Sequence, residues 1–336
     1  MRGAAPRKLR NDGRMTQGAA SVAAVAIGRN EGERLRRCLQ SLTAQTGRVV
    51  YVDSGSTDGS REVACALGAE IVELDMSRPF TAARARNAGV ARLREDGLPE
   101  FVQFVDGDCA LEPGWIAAAL QEMAGDPALA VVCGRRREIA PEASVYNRLA
   151  DREWNTPVGE AKACGGDSLM RMAAFEAVGG FDPRVIAGEE PELCVRLRQA
   201  GWRIRRIDRD MTRHDAAMTR FSQWWTRAVR GGYAYALGYA MHGAPPERHK
   251  AGEVRRIALW AVALPLAVLA AVLALGPWAL AALLVYPAQV LRMTLRDSDF
   301  VYAVFTMLGK FAEAQGMLRF LRDRAAGRTP QIIEYK

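Results

Sequence analysis

The chain has 336 residues, 49% of them hydrophobic and 25% charged, which is the balance of a folded protein with one large domain or two ordinary ones. Its six cysteines are scattered singly, without a CxxC pair or a recognisable signal peptide. The sequence therefore suggests neither a disulfide framework nor a zinc site, and we expect the folded part to lie in reducing cytosol. The formal net charge is +8, and half of it comes from residues 1–20.

Residues 1–20 form a basic, polar segment that precedes the first apolar run. We predict that this tail is disordered, because chain termini are poorly ordered when nothing ties them down. Contact with anionic lipid or nucleic acid is the alternative that its charge leaves open.

From Val22 to about Gly134, short β-branched runs alternate with helical stretches. The predicted strands are VAAVAI, RVVYVD, EIVEL, FVQFVD and LAVVCG, and the predicted helices run from Glu33 to Ala44, Gly59 to Leu67, Thr81 to Glu95 and Pro113 to Ala124. This repeated unit predicts an α/β fold with a mostly parallel central sheet covered on both faces. Ligands of such sheets bind beyond the carboxyl ends of the strands, which is where Asp53, Asp106 and Asp108 fall.

The pattern is less regular from residue 135 to about residue 210, where loops are rich in glycine, proline and acids. A helix is predicted near Glu192 to Ala200, followed by the strand WRIRRID, and we interpret this part as shaping the substrate site. A further helix is predicted from Ala217 to Met241. Its aromatic side chains lie among arginines, which is consistent with a core helix, an acceptor-binding surface or a membrane-interface belt.

The segment from Ile257 to Leu291 contains no charged residue. As one helix it would be about 52 Å long at ~1.5 Å per residue, longer than the ~30 Å hydrocarbon core of a bilayer, and Gly276 and Pro277 interrupt it. We predict a helical hairpin with arginines at both ends on the cytoplasmic side. A re-entrant, interfacial or buried core hairpin remains open. The amphipathic segment from residue 300 to residue 321 suits a helix on the same surface.

Asp106 and Asp108 end the apolar strand FVQFVD with only one glycine between them. At ~4 Å and an effective dielectric constant of about 20 their carboxylates would repel by about 4 kcal/mol, so we expect a cation there. Mg²⁺ and Mn²⁺ take one or two protein carboxylates and complete their shell with phosphate oxygens and water. A nucleotide diphosphate would supply those oxygens.

Other ion and nucleotide sites lack their signatures in this sequence. The downstream ligands and turn glycine of a calcium-binding helix–loop–helix are absent after Asp108. The chain has neither a GxxxxGK[ST] loop nor a strand-linked GxGxxG, and AIGRNEGERL does not offer the glycine-rich loop of a nucleotidyltransferase.

Seven short segments between Ser21 and His214 form a specific set. They are AIGRNEGERLRRCLQSLTAQT, VVYVDSGSTDGS, ARARNAG, FVDGD, CGGDSLMR, VGGFD and AGEEPELCVRLRQAGWRI. In order and spacing this set resembles the family 2 inverting glycosyltransferases, which have the GT-A nucleotide-sugar-binding fold. The resemblance implies a catalytic domain over residues 21–215. The patterns described above give an interfacial or acceptor-side helix over residues 216–250 and a membrane-associated helical region over residues 251–336.

The resemblance implies a donor-binding role for several matching residues. Asp53 would accept a hydrogen bond from the base N3–H of a uracil or thymine nucleotide, or else be a turn aspartate that caps the next helix. Arg86 and Asn87 would approach the phosphates and the donor pocket. Asp106 would contact the ribose or the metal shell, and Asp108 would bind the Mn²⁺ or Mg²⁺ ion directly.

Further donor and metal contacts follow from the same resemblance. Gly165 and Gly166 would let the backbone approach the donor sugar, and Asp167 would bind its hydroxyls; the alternative is that the glycines only form a turn. His214 stands where many relatives place a histidine near the metal, although a lone histidine is more often structural than ligating.

The segment Glu189-Glu190-Pro191-Glu192 stands where the family usually has E-D-x-D or E-D-x-E. Glu190 is therefore the expected general base, although it is one methylene longer than the usual aspartate. Glu189 and Glu192 are the alternatives. Glu192 could also be only an acidic residue in the first turn of a helix, where the helix dipole favours negative charge. Trp224 and Trp225 are candidate acceptor contacts. The QWW segment departs from the Q-x-x-R-W of processive synthases, so polymer synthesis is not supported.

The sequence thus predicts a membrane-associated, metal-dependent inverting glycosyltransferase at the cytoplasmic face of the inner membrane. It would move one sugar from a UDP- or dTDP-sugar to a membrane-presented acceptor, such as a lipid-linked saccharide of envelope or exopolysaccharide synthesis. We expect no nucleic-acid partner. A non-catalytic, membrane-anchored nucleotide-sugar binder or assembly subunit is the rival hypothesis, and a hairpin that belongs to a transport machine is the third.

Overall fold

The computed structural model describes residues 21–328 and Ile333. The tail of residues 1–20, which the sequence predicts to be disordered, lies outside the described residues. Of the last eight residues of the predicted region 251–336, only Ile333 is described. Those two predictions therefore stay predictions at the chain ends.

The first half of the chain alternates strands and helices, as predicted. In chain order these are β1 (Val22–Gly28), α1 (Glu33–Thr43), β2 (Arg48–Asp53), α2 (Ser60–Ala66), β3 (Glu70–Glu73), α3 (Ala82–Glu95), β4 (Phe101–Asp106), β5 (Cys109–Leu111), α4 (Trp115–Gly125) and β6 (Leu129–Glu138). Strands β1 and β4 are buried along almost their whole length, because helices cover both faces of the sheet. Helix α1 buries Leu35, Cys38, Leu39 and Leu42, which is the one-sided spacing of an amphipathic helix.

The second half contains elements that the sequence did not reveal. After a 3-10 turn (Pro141–Ala143) come α5 (Val145–Trp154), β7 (Gly159–Glu160), β8 (Ser168–Arg171), α6 (Met172–Ala177), α7 (Glu189–Gln199), β9 (Arg203–His214), α8 (Phe221–His242), α9 (Ala251–Ile257), a π-helical turn (Ala258–Ala263), α10 (Leu264–Leu275), a 3-10 segment (Pro277–Leu284), α11 (Val285–Asp297) and α12 (Phe300–Ala325). Helix α7 begins at Glu189, three residues before the predicted start. Strand β9 continues to His214, well beyond the predicted WRIRRID.

The strand order in the sheet is β3-β2-β1-β4-β8-β6-β9-β5, and β7 pairs with β9. Strands β1 to β4 are mutually parallel, whereas β8 runs antiparallel between β4 and β6. The α/β prediction with a parallel first half is confirmed, and the second half is mixed. The hydrophobic core lies between this sheet and its covering helices.

Strand register brings the acidic residues to one edge. Asp53 pairs with Gly28, and Asp106 pairs with Ile27, one residue earlier on the same central strand β1. Because β8 is antiparallel, it begins at this edge and places Asp167 there. At the same edge, His214 at the end of β9 pairs in register with Cys109 of β5 and Glu138 of β6.

Helices α8 and α12 pack with their backbones in direct contact. A Cβ atom added at Gly232 would lie 1.9 Å from the carbonyl oxygen of Glu313, and one added at Gly316 would lie 1.9 Å from that of Val229. Beside this contact the rings of Tyr233 and Phe320 meet edge to face at 5.5 Å. Only glycine permits so close an approach, and the two helices form a second, smaller core.

The apolar segment forms the predicted helical hairpin, broken at Gly276, whose φ is +89°. The hydroxyl of Tyr286 donates to the carbonyl oxygen of Trp260 at 2.6 Å and ties the two arms together. Ala251–Leu275 and Pro277–Asp297 are each long and apolar enough to cross a membrane by length and composition, and only 11% and 6% of their most apolar windows are buried. This exposure argues against the buried core hairpin.

Candidate active site

A cavity of about 900 Å³ lies at the carboxyl edge of the sheet, between the α/β domain and helices α8 and α12. Eight of the predicted site residues line it: Arg86, Asp106, Asp108, Gly166, Glu189, Glu190, His214 and Trp224. The other six predicted site residues, all within the described part of the chain, do not line this cavity: Asp53, Asn87, Gly165, Asp167, Glu192 and Trp225. Residues more than 100 positions apart in the sequence thus meet in one cavity.

Arg86 is the central cation of the cavity, and its side chain is only 2% exposed. Its Nη1 donates to Glu189 Oε1 at 2.6 Å, and its Nη2 donates to Asp106 Oδ1 at 2.6 Å. Burial alone would lower the pKa of Arg86, but the carboxylates of Asp106 and Glu189 outweigh burial and raise it. Arg86 and Arg136 likewise hold the pKa of Asp106 below its ordinary value, although burial opposes them.

Arg136 and Asp167 form a second ion pair behind the first. Arg136 Nη2 lies 2.8 Å from Asp167 Oδ2 and 3.4 Å from Asp106 Oδ2. Asp167 also accepts the Asp106 backbone N–H at 3.0 Å and the Thr212 hydroxyl at 2.7 Å. A Cβ at Gly166 would lie 2.7 Å from Asp106 Oδ2, so this glycine lets the loop approach the acid cluster.

Asp108 and His214 form the arrangement closest to a metal site. Asp108 Oδ2 lies 3.3 Å from His214 Nε2, and His214 Nδ1 lies 3.5 Å from Glu138 Oε2. One ligand atom each of Asp108, Cys109 and His214 lies within 4.8 Å of the other two, and all three residues are buried. A carboxylate and an imidazole backed by a further carboxylate fit a divalent cation such as Mn²⁺. Burial raises the pKa of Cys109 well above its ordinary value, so this residue stays a neutral thiol.

Glu190 begins the helix α7 immediately after Glu189 and lines the same cavity. Its Oε1 accepts the backbone N–H of Cys164 and the thiol of Cys194, whose Sγ lies at 3.1 Å. Burial raises the pKa of Glu190, and these hydrogen bonds only partly oppose it. The result is a carboxylate surrounded by neutral donors, a suitable environment for a general base.

Comparison with known proteins assigns the sheet domain to a family. Residues 25–177 match the model of glycosyl transferase family 2. The chain carries a family 2 glycosyltransferase domain. The resemblance drawn from the seven sequence segments is confirmed.

Curated relatives of this glycosyltransferase domain include two bacterial proteins. The "Pre-mycofactocin glycosyltransferase" of Mycobacterium tuberculosis is 30% identical over 62% of this chain and 46% of the relative. The "Succinoglycan biosynthesis protein ExoA" of Rhizobium meliloti is 30% identical over 53% of this chain and 56% of the relative. The chain therefore spans about half the length of the curated relatives it matches.

One of the similar solved structures resembles this chain beyond its sheet domain. The mannosyltransferase PcManGT from Pyrobaculum calidifontis, in complex with GDP-Man and Mn²⁺, aligns with 90% of this chain and 87% of its own, with a TM-score of 0.64 and 20% identity. At that identity the likeness establishes the fold, and it includes much of the helical half.

Asp53 lies at the end of β2 in the glycosyltransferase domain, and it is 2% exposed. Its Oδ2 accepts the backbone N–H groups of Gly55 and Ser56 at 3.1 and 2.9 Å, and its Oδ1 accepts the Tyr51 hydroxyl at 3.0 Å. Through these hydrogen bonds the carboxylate shapes the loop after β2. Base recognition by Asp53 stays a prediction.

Asn87 holds a neighbouring loop and does not line the cavity. Its amide nitrogen donates to the Phe181 carbonyl at 2.7 Å, and its amide oxygen accepts the Phe181 N–H at 3.1 Å. Asn87 therefore positions the VGGFD loop, because its amide nitrogen and its amide oxygen both bond to the same residue. Its predicted phosphate contact stays a prediction.

Glu192 and Trp225 are also occupied by protein partners. Glu192 is 2% exposed and accepts from Arg196 and from His242, whose Nε2 lies 2.9 Å away. The Trp225 indole donates to Gln315 at 3.0 Å. Trp224 does line the cavity, where its ring meets Phe305 edge to face at 4.8 Å.

Four functional candidates escaped the sequence analysis. Arg136 lies in an Arg-Arg-Arg run that is typical of a solvated strand end, and only the pairing of β6 directs it inward. Cys109, Cys164 and Cys194 stand singly in the sequence, so their spacing gave no signal. Cys109 follows Asp108 directly, however, and Cys194 is one helical turn after Glu190, which in retrospect places both thiols beside the acids.

Proposed function

We propose that this protein is a metal-dependent inverting glycosyltransferase that moves one sugar from a nucleotide-diphosphate donor to an acceptor at the cytoplasmic face of the membrane. The observation that carries the proposal is a single cavity that unites Asp108 and His214 with Glu190. A cation site and a carboxylate base in one space are the two groups that an inverting displacement needs.

Glu190 is the better base of the two adjacent glutamates. The Glu189 carboxylate is paired with the Arg86 guanidinium at 2.6 Å, so its Oε1 is already committed to a buried ion pair. Glu190 instead accepts from the backbone N–H of Cys164 and from the Cys194 thiol, which are neutral donors. In the proposed reaction Glu190 takes the proton of the acceptor hydroxyl while that oxygen attacks the anomeric carbon and the nucleotide diphosphate departs.

The donor side of the cavity combines cations with the acid pair. Asp108 and His214 would hold Mn²⁺ or Mg²⁺, which supplies Lewis-acid stabilisation of the departing diphosphate. Asp106 is less suited to ligate the ion, because its oxygens already accept from Arg86 and lie near Arg136. We infer that Arg86 and Asp106 keep the donor side preorganised.

A membrane-presented acceptor is supported by the hairpin and by a relative. Leu273 and Trp278 of the hairpin are 81% and 88% exposed, and one relative is named for succinoglycan biosynthesis. We propose a lipid-linked saccharide of exopolysaccharide or envelope synthesis as the acceptor. On this view residues 21–215 are catalytic, residues 216–250 face the acceptor and residues 251–336 associate with the membrane.

The proposed activity is tested with radiolabelled UDP- and dTDP-sugars and Mn²⁺ in membranes that contain the wild-type protein, Glu190→Gln or Asp108→Asn. We expect transfer or slow donor hydrolysis by the wild type and a loss of at least about 100-fold in both variants. A non-catalytic nucleotide-sugar binder would bind the donor and show no turnover in any of the three.

The nucleotide is identified by thermal unfolding with UDP, dTDP, GDP and CDP sugars, each with and without Mn²⁺. A ligand that binds only the folded state raises the unfolding temperature, and we expect the uracil and thymine nucleotides to do so through Asp53. Stabilisation by guanine nucleotides alone would show that the assignment of Asp53 is wrong.

A further inference from the structure

The cavity has a second part that the donor chemistry does not use. We call it the helical chamber; it is the part of the cavity lined by α5, α8, α12 and Lys250. Its charged residues are the cations Arg227, Arg230, Lys250 and Lys310 and the acids Glu153 and Glu313. The chamber opens directly onto the site that contains Glu190 and therefore lies where an acceptor would be bound.

The two parts of the cavity differ in charge. Four cations and two acids line the helical chamber, whereas the sheet side is lined by five acids, which are Glu31, Asp106, Asp108, Glu189 and Glu190, and four cations, which are Arg29, Arg34, Arg86 and Arg136. The sheet side thus has an acidic excess that a bound cation would offset. The chamber has an excess of positive charge, which favours an anionic group.

Three cations of the chamber are each held in place by a neighbouring carboxylate. Lys310 Nζ lies 2.5 Å from Glu313 Oε2, and Arg227 Nη1 lies 2.7 Å from Glu153 Oε2. Lys250 Nζ lies 5.1 Å from the centre of the Tyr235 ring and 3.8 Å from a carboxylate oxygen of Glu253 on α9. These contacts fix the three side chains at the cavity wall, where with Arg230 they can donate hydrogen bonds to an anion that has several oxygens.

Aromatic rings form the remaining wall of the chamber. Trp224, Tyr235, Tyr302 and Phe305 all line the cavity. Their rings offer apolar surface next to the cations, as expected for a ligand with an anionic head, a sugar and a hydrocarbon chain. A purely polar ligand would leave this surface in contact with water.

The chamber is continuous with the exposed hairpin. Lys250 is the N-cap of α9, so the first apolar arm begins directly at the chamber. Helix α12, which carries Lys310, also packs against the second arm through Met293 and Met307. A lipid whose chain lies along the hairpin would therefore place its head group beside these cations.

We propose that the helical chamber binds the phosphate or diphosphate of a lipid-linked acceptor and so directs the acceptor sugar toward Glu190. This inference rests on the proposed glycosyltransferase function, which it deepens by naming the charged group that is recognised. Free phosphate or pyrophosphate has the same chemistry as the head group, so the test must separate the two sources.

The test measures binding of farnesyl diphosphate to the full chain in a non-ionic detergent, with EDTA present to suppress metal-dependent binding at the donor site. Farnesol and inorganic pyrophosphate are the comparison ligands. The variants are Lys310→Gln and Arg230→Gln, with Lys310→Arg as the conservative variant. Arg322→Gln is the matched control, because Arg322 lies on the same helix α12 with 68% of its side chain exposed.

We expect farnesyl diphosphate to bind the wild type at least about tenfold more tightly than farnesol or pyrophosphate, since both the charge and the chain contribute. Each Gln variant should weaken binding by about tenfold or more, whereas Lys310→Arg and Arg322→Gln should stay within about twofold of the wild type. Equal binding of farnesol, equal binding of pyrophosphate, or unchanged binding in both Gln variants would each overturn the proposal.

A second measurement separates this proposal from the proposed function. Stabilisation of the fold by UDP with Mn²⁺ reports on the donor site, and the Gln variants should retain it, which also shows that they fold. If farnesyl diphosphate binds as expected but no nucleotide stabilises the protein, the chamber stands and the glycosyltransferase proposal fails. If UDP with Mn²⁺ displaces farnesyl diphosphate from the wild type and both Gln variants equally, the ligand occupies the donor site and the chamber proposal is wrong.

Discussion

At the scale of single residues, Glu190 determines the expected pH dependence. Burial raises its pKa, and a general base must be deprotonated to act, so the transfer rate should fall as the pH drops through that raised pKa. The acidic limb of the rate profile should therefore lie at higher pH than for an ordinary glutamate. The measurement is kcat/KM against pH with saturating Mn²⁺.

Cys194 should influence this same limb. Its thiol lies 3.1 Å from Glu190 Oε1 and stabilises the carboxylate, so Cys194→Ala should raise the pKa of Glu190 further and move the acidic limb to higher pH. Cys65→Ala is the control, because Cys65 is exposed. An unchanged limb in Cys194→Ala would mean that the thiol does not tune the base, even if the variant is less stable.

Arg86 should be a large contributor to stability as well as to donor binding. Arg86→Met would leave Glu189 and Asp106 without the guanidinium that they share, and removing one member of a buried ion pair costs about 3–5 kcal/mol. Arg94→Met breaks an exposed pair with Glu176, for which about 0–1 kcal/mol is expected. The free energy of unfolding of both variants in urea gives the comparison, and similar losses would contradict the central role of Arg86.

At the scale of elements, the contact between α8 and α12 should depend on two glycines. Gly316→Ala would place a Cβ atom 1.9 Å from the carbonyl oxygen of Val229, whereas Gly309→Ala on the same helix meets side-chain atoms of Trp224 at 3.7 Å and Glu313 at 3.9 Å, which are ordinary contacts. We expect Gly316→Ala to separate the helices and to lower the unfolding temperature by several degrees. Gly309→Ala should leave the temperature unchanged or raise it, since alanine favours a helix by ~1 kcal/mol over glycine. Equal unfolding temperatures would show that the two helices are not in backbone contact.

The elements that the sequence predicted well share one property. Strands β1, β2 and β4 are continuous apolar runs with turn residues on either side, and helix α1 has a clear apolar face. Their local patterns suffice because each is long enough to show the apolar run or the apolar face of a buried element. Strands β5, β7 and β8 have two to four residues, too few for a periodic pattern, and they form because distant strands offer them partners.

At the scale of the whole molecule, the sequence predicted the acids of the site better than their partners. Asp106, Asp108 and Glu190 follow from strand ends and from the family resemblance, because each lies within a short motif. Arg136 and the close contact of α8 with α12 depend on long-range pairing that no local pattern contains. The helical chamber likewise arises only when residues near position 230 meet residues near position 310.

Attachment of the whole molecule to a membrane should depend on the turn of the hairpin. Leu273 and Trp278 flank Gly276 and are 81% and 88% exposed, so Leu273→Glu with Trp278→Glu would force two charges into any bilayer that the hairpin enters, at about 2.5–3.5 kcal/mol each. We expect most of this variant to leave the membrane fraction in vesicle flotation.

Val158→Glu is the matched control, because Val158 is an exposed apolar residue of the sheet domain, and it should float like the wild type. Since helices α8 and α12 keep their contact in the charged variant, donor stabilisation by UDP with Mn²⁺ should persist. Unaltered flotation would mean that the hairpin turn does not enter the bilayer and that the membrane-presented acceptor has lost its main support.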